Sequence, residues 1–120
     1  MSLLVRAYTR GPGGEMLFVD GPPGTEQAGP EAARTELYAS ASAISLGARM
    51  LPLLATENIY AETPAELDAL EADCTLLLRN ATQLSHATGQ DPDKITTHLA
   101  NIAAAIARAR SHTDGAVVIW

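Results

Sequence analysis

Two apolar stripes, written one after the other, constrain this 120-residue chain more than any other feature. Leu67, Leu70, Cys74, Leu77, Ala81 and Leu84 advance by threes and fours, and Ile95, Leu99, Ile102, Ile106 and Ala109 repeat the pattern after a short break. At that spacing each set lies along one side of a helix. The simplest way to remove both stripes from water is to face them against each other. Capping chemistry sets the ends. Thr63-Pro64-Ala65-Glu66 offers an N-cap hydroxyl, a proline at the first helical position and a glutamate that can reach back to the cap. Thr88-Gly89 can close that helix, and Asp91-Pro92-Asp93 opens the next. The pattern predicts helices over about 64–88 and 92–111, antiparallel because so few residues connect them.

Ahead of the helices, Leu3–Tyr8 and Met16–Val19 flank the turn-forming run Arg10-Gly11-Pro12-Gly13-Gly14, which predicts a β-hairpin. Gly21-Pro22-Pro23-Gly24 then interrupts regular structure, so residues 21–34 read as a flexible Gly/Pro-rich loop. A short helix is expected near 41–51, capped by Ser40 or Ser42 and limited by Gly47 and Pro52. Glu36-Leu37-Tyr38 fits either its first turns or a short strand, and Asn58–Ala61 fits a short extended segment. Ala116-Val117-Val118-Ile119-Trp120 is apolar at five successive positions, the pattern of an interior strand. It belongs beside the N-terminal hairpin. The expected fold is a single α+β domain spanning 1–120. In it the hairpin and C-terminal strand form a small sheet, and the helical hairpin covers one face. The short helix, or a second copy of the chain, would cover the other. The small residues Ala100, Ala103, Ala104 and Ala107 flank the last stripe and suit close approach, to the sheet or to a second subunit in a homodimer.

A chain of this length can bury roughly 65% of its unfolded surface, so folding requires no disulfide or metal. Its single cysteine, Cys74, lies on the apolar stripe and reads as a small core hydrophobe. No apolar run approaches the ~18 residues of a membrane span, and no leader pattern is present, so a cytoplasmic protein is expected, with no membrane partner. Arginine outnumbers lysine seven to one, which suggests a GC-rich bacterial or phage genome.

The charge distribution is the main functional signal. Glu57, Glu62, Glu66, Asp68, Glu71 and Asp73 fall within 17 residues that hold no lysine or arginine, and the remainder balances eight acids against eight bases. The whole formal charge of −6 therefore arises in that window. Such a surface repels nucleic acid and attracts a basic protein. Carboxylates in the first turns of a helix also complement its dipole, so Glu66, Asp68 and Glu71 need no partner to explain them. A second reading groups Asn58, Tyr60 and Glu62, which alternate onto one side of an extended segment, with Arg49 as a small catalytic or ligand-binding set. Histidines 98 and 112 are about 21 Å apart along a helix, too far to share an ion. His86 and His98 have no further ligand at one-turn spacing. The glycine runs lack the Lys-Ser or Lys-Thr of phosphate-binding loops, and five aromatics are too few for base stacking. No metal, cofactor or catalytic residue is expected. The sequence predicts a small non-catalytic binding domain, an inhibitor or immunity-type regulator being one example, that meets a basic partner through Glu57, Tyr60, Glu62, Asp68 and Asp73. A structural or assembly subunit is the remaining alternative.

Overall fold

The computed structural model describes residues 2–120. The glycine-rich turn folds back as its composition requires. Strands β1 (Ser2–Arg10) and β2 (Met16–Val19) pair antiparallel, with Tyr8 opposite Phe18 and Arg10 opposite Met16. Residues 27–30, expected within a loop, form instead a third strand, β3 (Gln27–Pro30). Gln27-Ala28-Gly29-Pro30 has no intrinsic strand preference. Its conformation is imposed by the stretch of β1's edge that β2 leaves bare, where Leu3 lies opposite Gly29 and the Val5 N–H donates to the Glu26 carbonyl at 2.8 Å.

Arg34–Tyr38 resolves the ambiguity at Glu36-Leu37-Tyr38 as one wide helical turn, in which the Ala39 N–H donates to the Arg34 carbonyl at 3.1 Å. Helix α1 (Ala41–Leu46) begins where the Ser40 hydroxyl accepts from the Ala43 N–H at 3.1 Å. It stops short of residue 51 because Gly47 takes φ 113°, a left-handed conformation that ends a helix. A 3₁₀ turn, Leu51–Ala55, follows. Strand β4 (Ile59–Ala61) then leads to α2 (Pro64–Arg79), whose capping box is complete: the Thr63 hydroxyl accepts from the Glu66 N–H, and the Glu66 carboxylate accepts from the Thr63 N–H.

The first arm of the helical hairpin is not continuous. Asn80 leaves helical geometry (φ −115°, ψ 24°), and its side-chain amide donates to the Leu76 carbonyl at 2.8 Å. That bond competes with backbone pairing and separates α2 from α3 (Ala81–Thr88). The apolar stripe nevertheless runs across the break, with Leu84 fully buried. Helix α4 (Pro92–Arg110) is the second arm, and Ile95, Leu99, Ile102, Ile106 and Ala109 are all buried.

Gly115 lies against the backbone of Ala109, too close for any side chain, and turns the chain into β5 (Ala116–Ile119). As its apolar run implies, β5 is interior, antiparallel to β1 on one side and β4 on the other, and all four residues are buried. The result is an α+β fold with a five-stranded antiparallel sheet, ordered β2-β1-β5-β4 with β3 sharing β1's outer edge. Leu3, Val5, Ala7, Ile59, Val117 and Ile119 join the helices in the main core.

Two packing expectations are corrected in the alternative that lies within the chain. Helix α1 contacts α2 and α3, so it thickens the helical layer and leaves the opposite sheet face without a backbone covering. Ala100, Ala104 and Ala107 are exposed, because α4 turns Ala105 and Ala109 inward with the isoleucines, and only Ala103 of that flank packs against the core. Among the described residues, no helix is long and apolar enough to cross a membrane.

Candidate functional site

Strand alternation decides what the helix-free face displays. Since Tyr8 lies opposite both Ala116 and Phe18, and Ala61 opposite Val117, the side chains of Glu62, Ala116, Tyr8 and Phe18 form one row across four strands. Tyr60, Val118 and Arg6 form the next, and Trp120 lies beyond them. Tyr8, Ala116 and Val118 are buried as a second, smaller core, against which Met16, Phe18 and Trp120 pack. The roof consists of side chains alone. The Arg6 guanidinium sits 3.5 Å over the Phe18 ring and forms a two-oxygen ion pair with Asp20, and Phe18 and Trp120 meet at a centroid distance of 6.0 Å.

Glu62 is the polar centre of this face. The small side chain of Ala116 lets the Tyr8 hydroxyl reach across β5 and donate to Glu62 Oε2 at 2.6 Å, and Arg10 donates to the same oxygen at 2.9 Å. The Tyr8 hydroxyl, then Arg10, holds the Glu62 carboxyl below its ordinary pKa, and burial followed by the Glu62 bond raises that of Tyr8. A folded-state pKa that is lowered contributes stability above the ordinary value of 4.5, lost as pH falls through the lowered one. The Glu62→Gln variant should therefore melt below the parent at pH 7, and the gap should shrink as pH falls below 4.5 and through the lowered value. A gap that stays the same size over that fall would count against the linkage.

The remaining predicted residues separate. Tyr60 is 42% exposed on the same face. Glu57 is exposed just before β4, and Asp68 is exposed on α2 in an ion pair with Arg110 at 2.7 Å. Asp73 does not belong to a solvent-facing surface. It is only 4% exposed, and its carboxylate accepts the backbone N–H groups of Arg49, Met50 and Leu51 at 2.8–3.2 Å. It anchors the segment that enters the 3₁₀ turn and cannot touch a partner from there. The grouping of Asn58, Tyr60 and Glu62 with Arg49 is likewise not assembled. Asn58 is held by Arg34 at 2.7 Å, while Arg49 is exposed after α1 and shares no hydrogen bond or ion pair with the other three among the described residues.

Beside Glu62 a cavity of about 290 Å³ opens between the start of α2 and the end of α4. Pro64, Leu67 and Ala109 supply apolar wall, and Glu62, Arg110, His112 and Asp114 line it with polar groups. A larger cleft, about 420 Å³, lies where β1's edge passes from β2 to β3, but its two cations are committed: Arg6 to Asp20, and Arg108 to the Val19 carbonyl. Burial, then the neighbouring Asp73, pushes the Cys74 thiol up to about 12, so it stays protonated at neutral pH. Burial, then Lys94, lowers the pKa of His98. Among the described residues no group of three or more His, Cys, Asp or Glu side chains is placed to hold a metal ion.

Sequence reasoning missed Tyr8, Arg10, Phe18 and Trp120 as parts of this surface. A signal existed: Arg6 and Tyr8 alternate on the predicted strand, and Arg10, assigned to the turn, continues that every-second-position period, so extending the strand by two residues places a cation–aromatic row on one side. Comparison with family models, curated proteins and solved structures finds no match for the chain.

Proposed function

We propose that this chain is a small non-catalytic protein-binding domain, and that it meets a partner with a basic surface across the helix-free sheet face and the acidic border formed by β4 and the start of α2. One observation carries the reading: four of the chain's five aromatic side chains, Tyr8, Phe18, Tyr60 and Trp120, gather on the one sheet face that no helix covers. Tyr8 is buried, and exposed or half-exposed aromatics such as Phe18, Tyr60 and Trp120, interleaved with arginine, match the composition of interface centres. Tyr60 and Glu62 stand on that face, Glu57 and Asp68 are exposed just before β4 and on α2, and the charge of −6 would steer a cationic partner toward them. An inhibitor or immunity-type regulator acting in a bacterial or phage-infected cytoplasm fits this description.

The test is capture from the source cell's lysate with the full chain and a Tyr60→Ala/Trp120→Ala double variant whose circular dichroism is unchanged. The expected result is a captured protein with a basic surface, released by salt and reduced at least ~10-fold with the double variant. Equal capture by both, or loss of capture by Ala104→Arg on the opposite side of the molecule, would refute the assignment.

A further inference from the structure

We infer that the cavity between the start of α2 and the end of α4 receives an arginine side chain of the partner, its aliphatic stem on Leu67, Pro64 and Ala109 and its guanidinium on Glu62 and Asp114. This rests on the basic-partner reading above and names the group that the acidic border would take.

The floor is fixed and apolar. Leu67 and Ala109 are 4% and 1% exposed, and Gly115, pressed against the Ala109 backbone, holds the end of α4 to the start of β5. The rim is polar and preset. Both internal bonds to Glu62 fall on Oε2, from Tyr8 and Arg10, so Oε1 has no partner among the described residues. A carboxylate accepts up to four hydrogen bonds, and this one is already oriented, so a ligand need not immobilise it. Asp114 stands at the other side with φ 56°, a left-handed conformation that aspartate tolerates better than most residues.

Charge selects a cation. Arg110 lines the cavity, but its guanidinium is compensated by Asp68 at 2.7 Å and Glu71 at 3.5 Å. Of the lining groups, Glu62 is paired with Arg10 and Arg110 with Asp68 and Glu71, while Asp114 also lines the cavity, so the lining residues and their ion-pair partners together hold four carboxylates against two arginines. An arginine combines a long apolar stem with a planar fork of donors matched to carboxylate, which suits an apolar floor between two acids better than a compact ammonium does. The pair of bonds that lowers the Glu62 pKa also keeps it ionised through the physiological range.

The probe is N-acetyl-arginine methylamide titrated into the ¹⁵N-labelled full chain, with the citrulline counterpart as its neutral isostere. Saturable shifts are expected at the Leu67, Asp114 and Gly115 amides. Citrulline should bind at least ~10-fold more weakly, and Glu62→Gln and Asp114→Asn should each weaken arginine binding several-fold while leaving the remaining spectrum in place. Asparagine accepts the left-handed conformation, so the second variant retains the local fold. Absence of saturation, equal binding of citrulline, or shifts confined to the outer face of α2 would overturn the inference. If the probe fails while capture still depends on Tyr60 and Trp120, the cavity assignment falls alone. If the probe binds while capture is indifferent to those residues, the sheet-face reading falls instead.

Discussion

A chain lacking Ala116–Trp120 is expected to lose its cooperative unfolding transition. Strand β5 is the shared neighbour of β1 and β4, so its removal unpairs both at once. It also contributes to both cores: Val117 and Ile119 face the helices, Ala116 and Val118 the opposite side, and none is more than 3% exposed. Burying two valines and an isoleucine is worth about 5–8 kcal/mol, comparable to the whole stability of an ordinary domain. The reciprocal bonds between Leu4 and Trp120, at 2.8 and 3.0 Å, are lost as well. Amide chemical-shift dispersion and a guanidinium titration measure the outcome. A sigmoidal transition with a midpoint near that of the full chain would show that β5 is dispensable.

Asp73→Ala should be the most damaging substitution of any charged residue. One buried carboxylate accepts the N–H groups of three consecutive residues, Arg49, Met50 and Leu51, just where α1 has ended and the 3₁₀ turn begins. Met50, which precedes that turn, receives no other side-chain cap. Alanine would strand three amides beside a buried void, each costing about 1 kcal/mol or more, for a total near 3 kcal/mol and a fall of roughly 10 °C in Tm. Asp73→Asn keeps an acceptor but turns an amide toward the same donors, so its loss should be nearly as large. Asp68→Ala on the same helix breaks only an exposed pair and should cost under ~1 kcal/mol. Urea unfolding of the three variants separates these values. A loss for Asp73→Ala no greater than that for Asp68→Ala would mean that the carboxylate is not a structural anchor.

What the sequence made legible follows from where local chemistry and tertiary demand agree. The stripes from Leu67 to Leu84 and from Ile95 to Ala109, the Thr63 cap, and the apolar run at 116–119 each carry their structure in their own spacing, and each is realised. The misses are positions whose state is set from elsewhere in the fold. Residues 27–30 become a strand because β1 offers a free edge, not because of their composition. Asp73 precedes Cys74 on the margin of the stripe, and its polarity disguised a burial that only the neighbouring 49–51 backbone explains. The face bearing Tyr8 and Trp120 depended on which way α1 packs, a matter of helix contacts rather than of any local motif. Of the five residues expected to meet a partner, Tyr60 and Glu62 share that face, Glu57 and Asp68 are exposed just before β4 and on α2, and Asp73 is buried.

The place of β5 also orders events in time. Its partner β1 lies more than a hundred positions upstream, with Val5 opposite Ile119. Pairing across so long a loop is entropically costly and slow, whereas the turns of α2, α3 and α4 need only near neighbours. During synthesis the helices can form and associate while one edge of β1 waits, unpaired, for residues made more than a hundred positions later. Until then the nascent chain carries an open β edge of the kind that chaperones cover and aggregates extend, so expression yield should depend on conditions that shorten that interval.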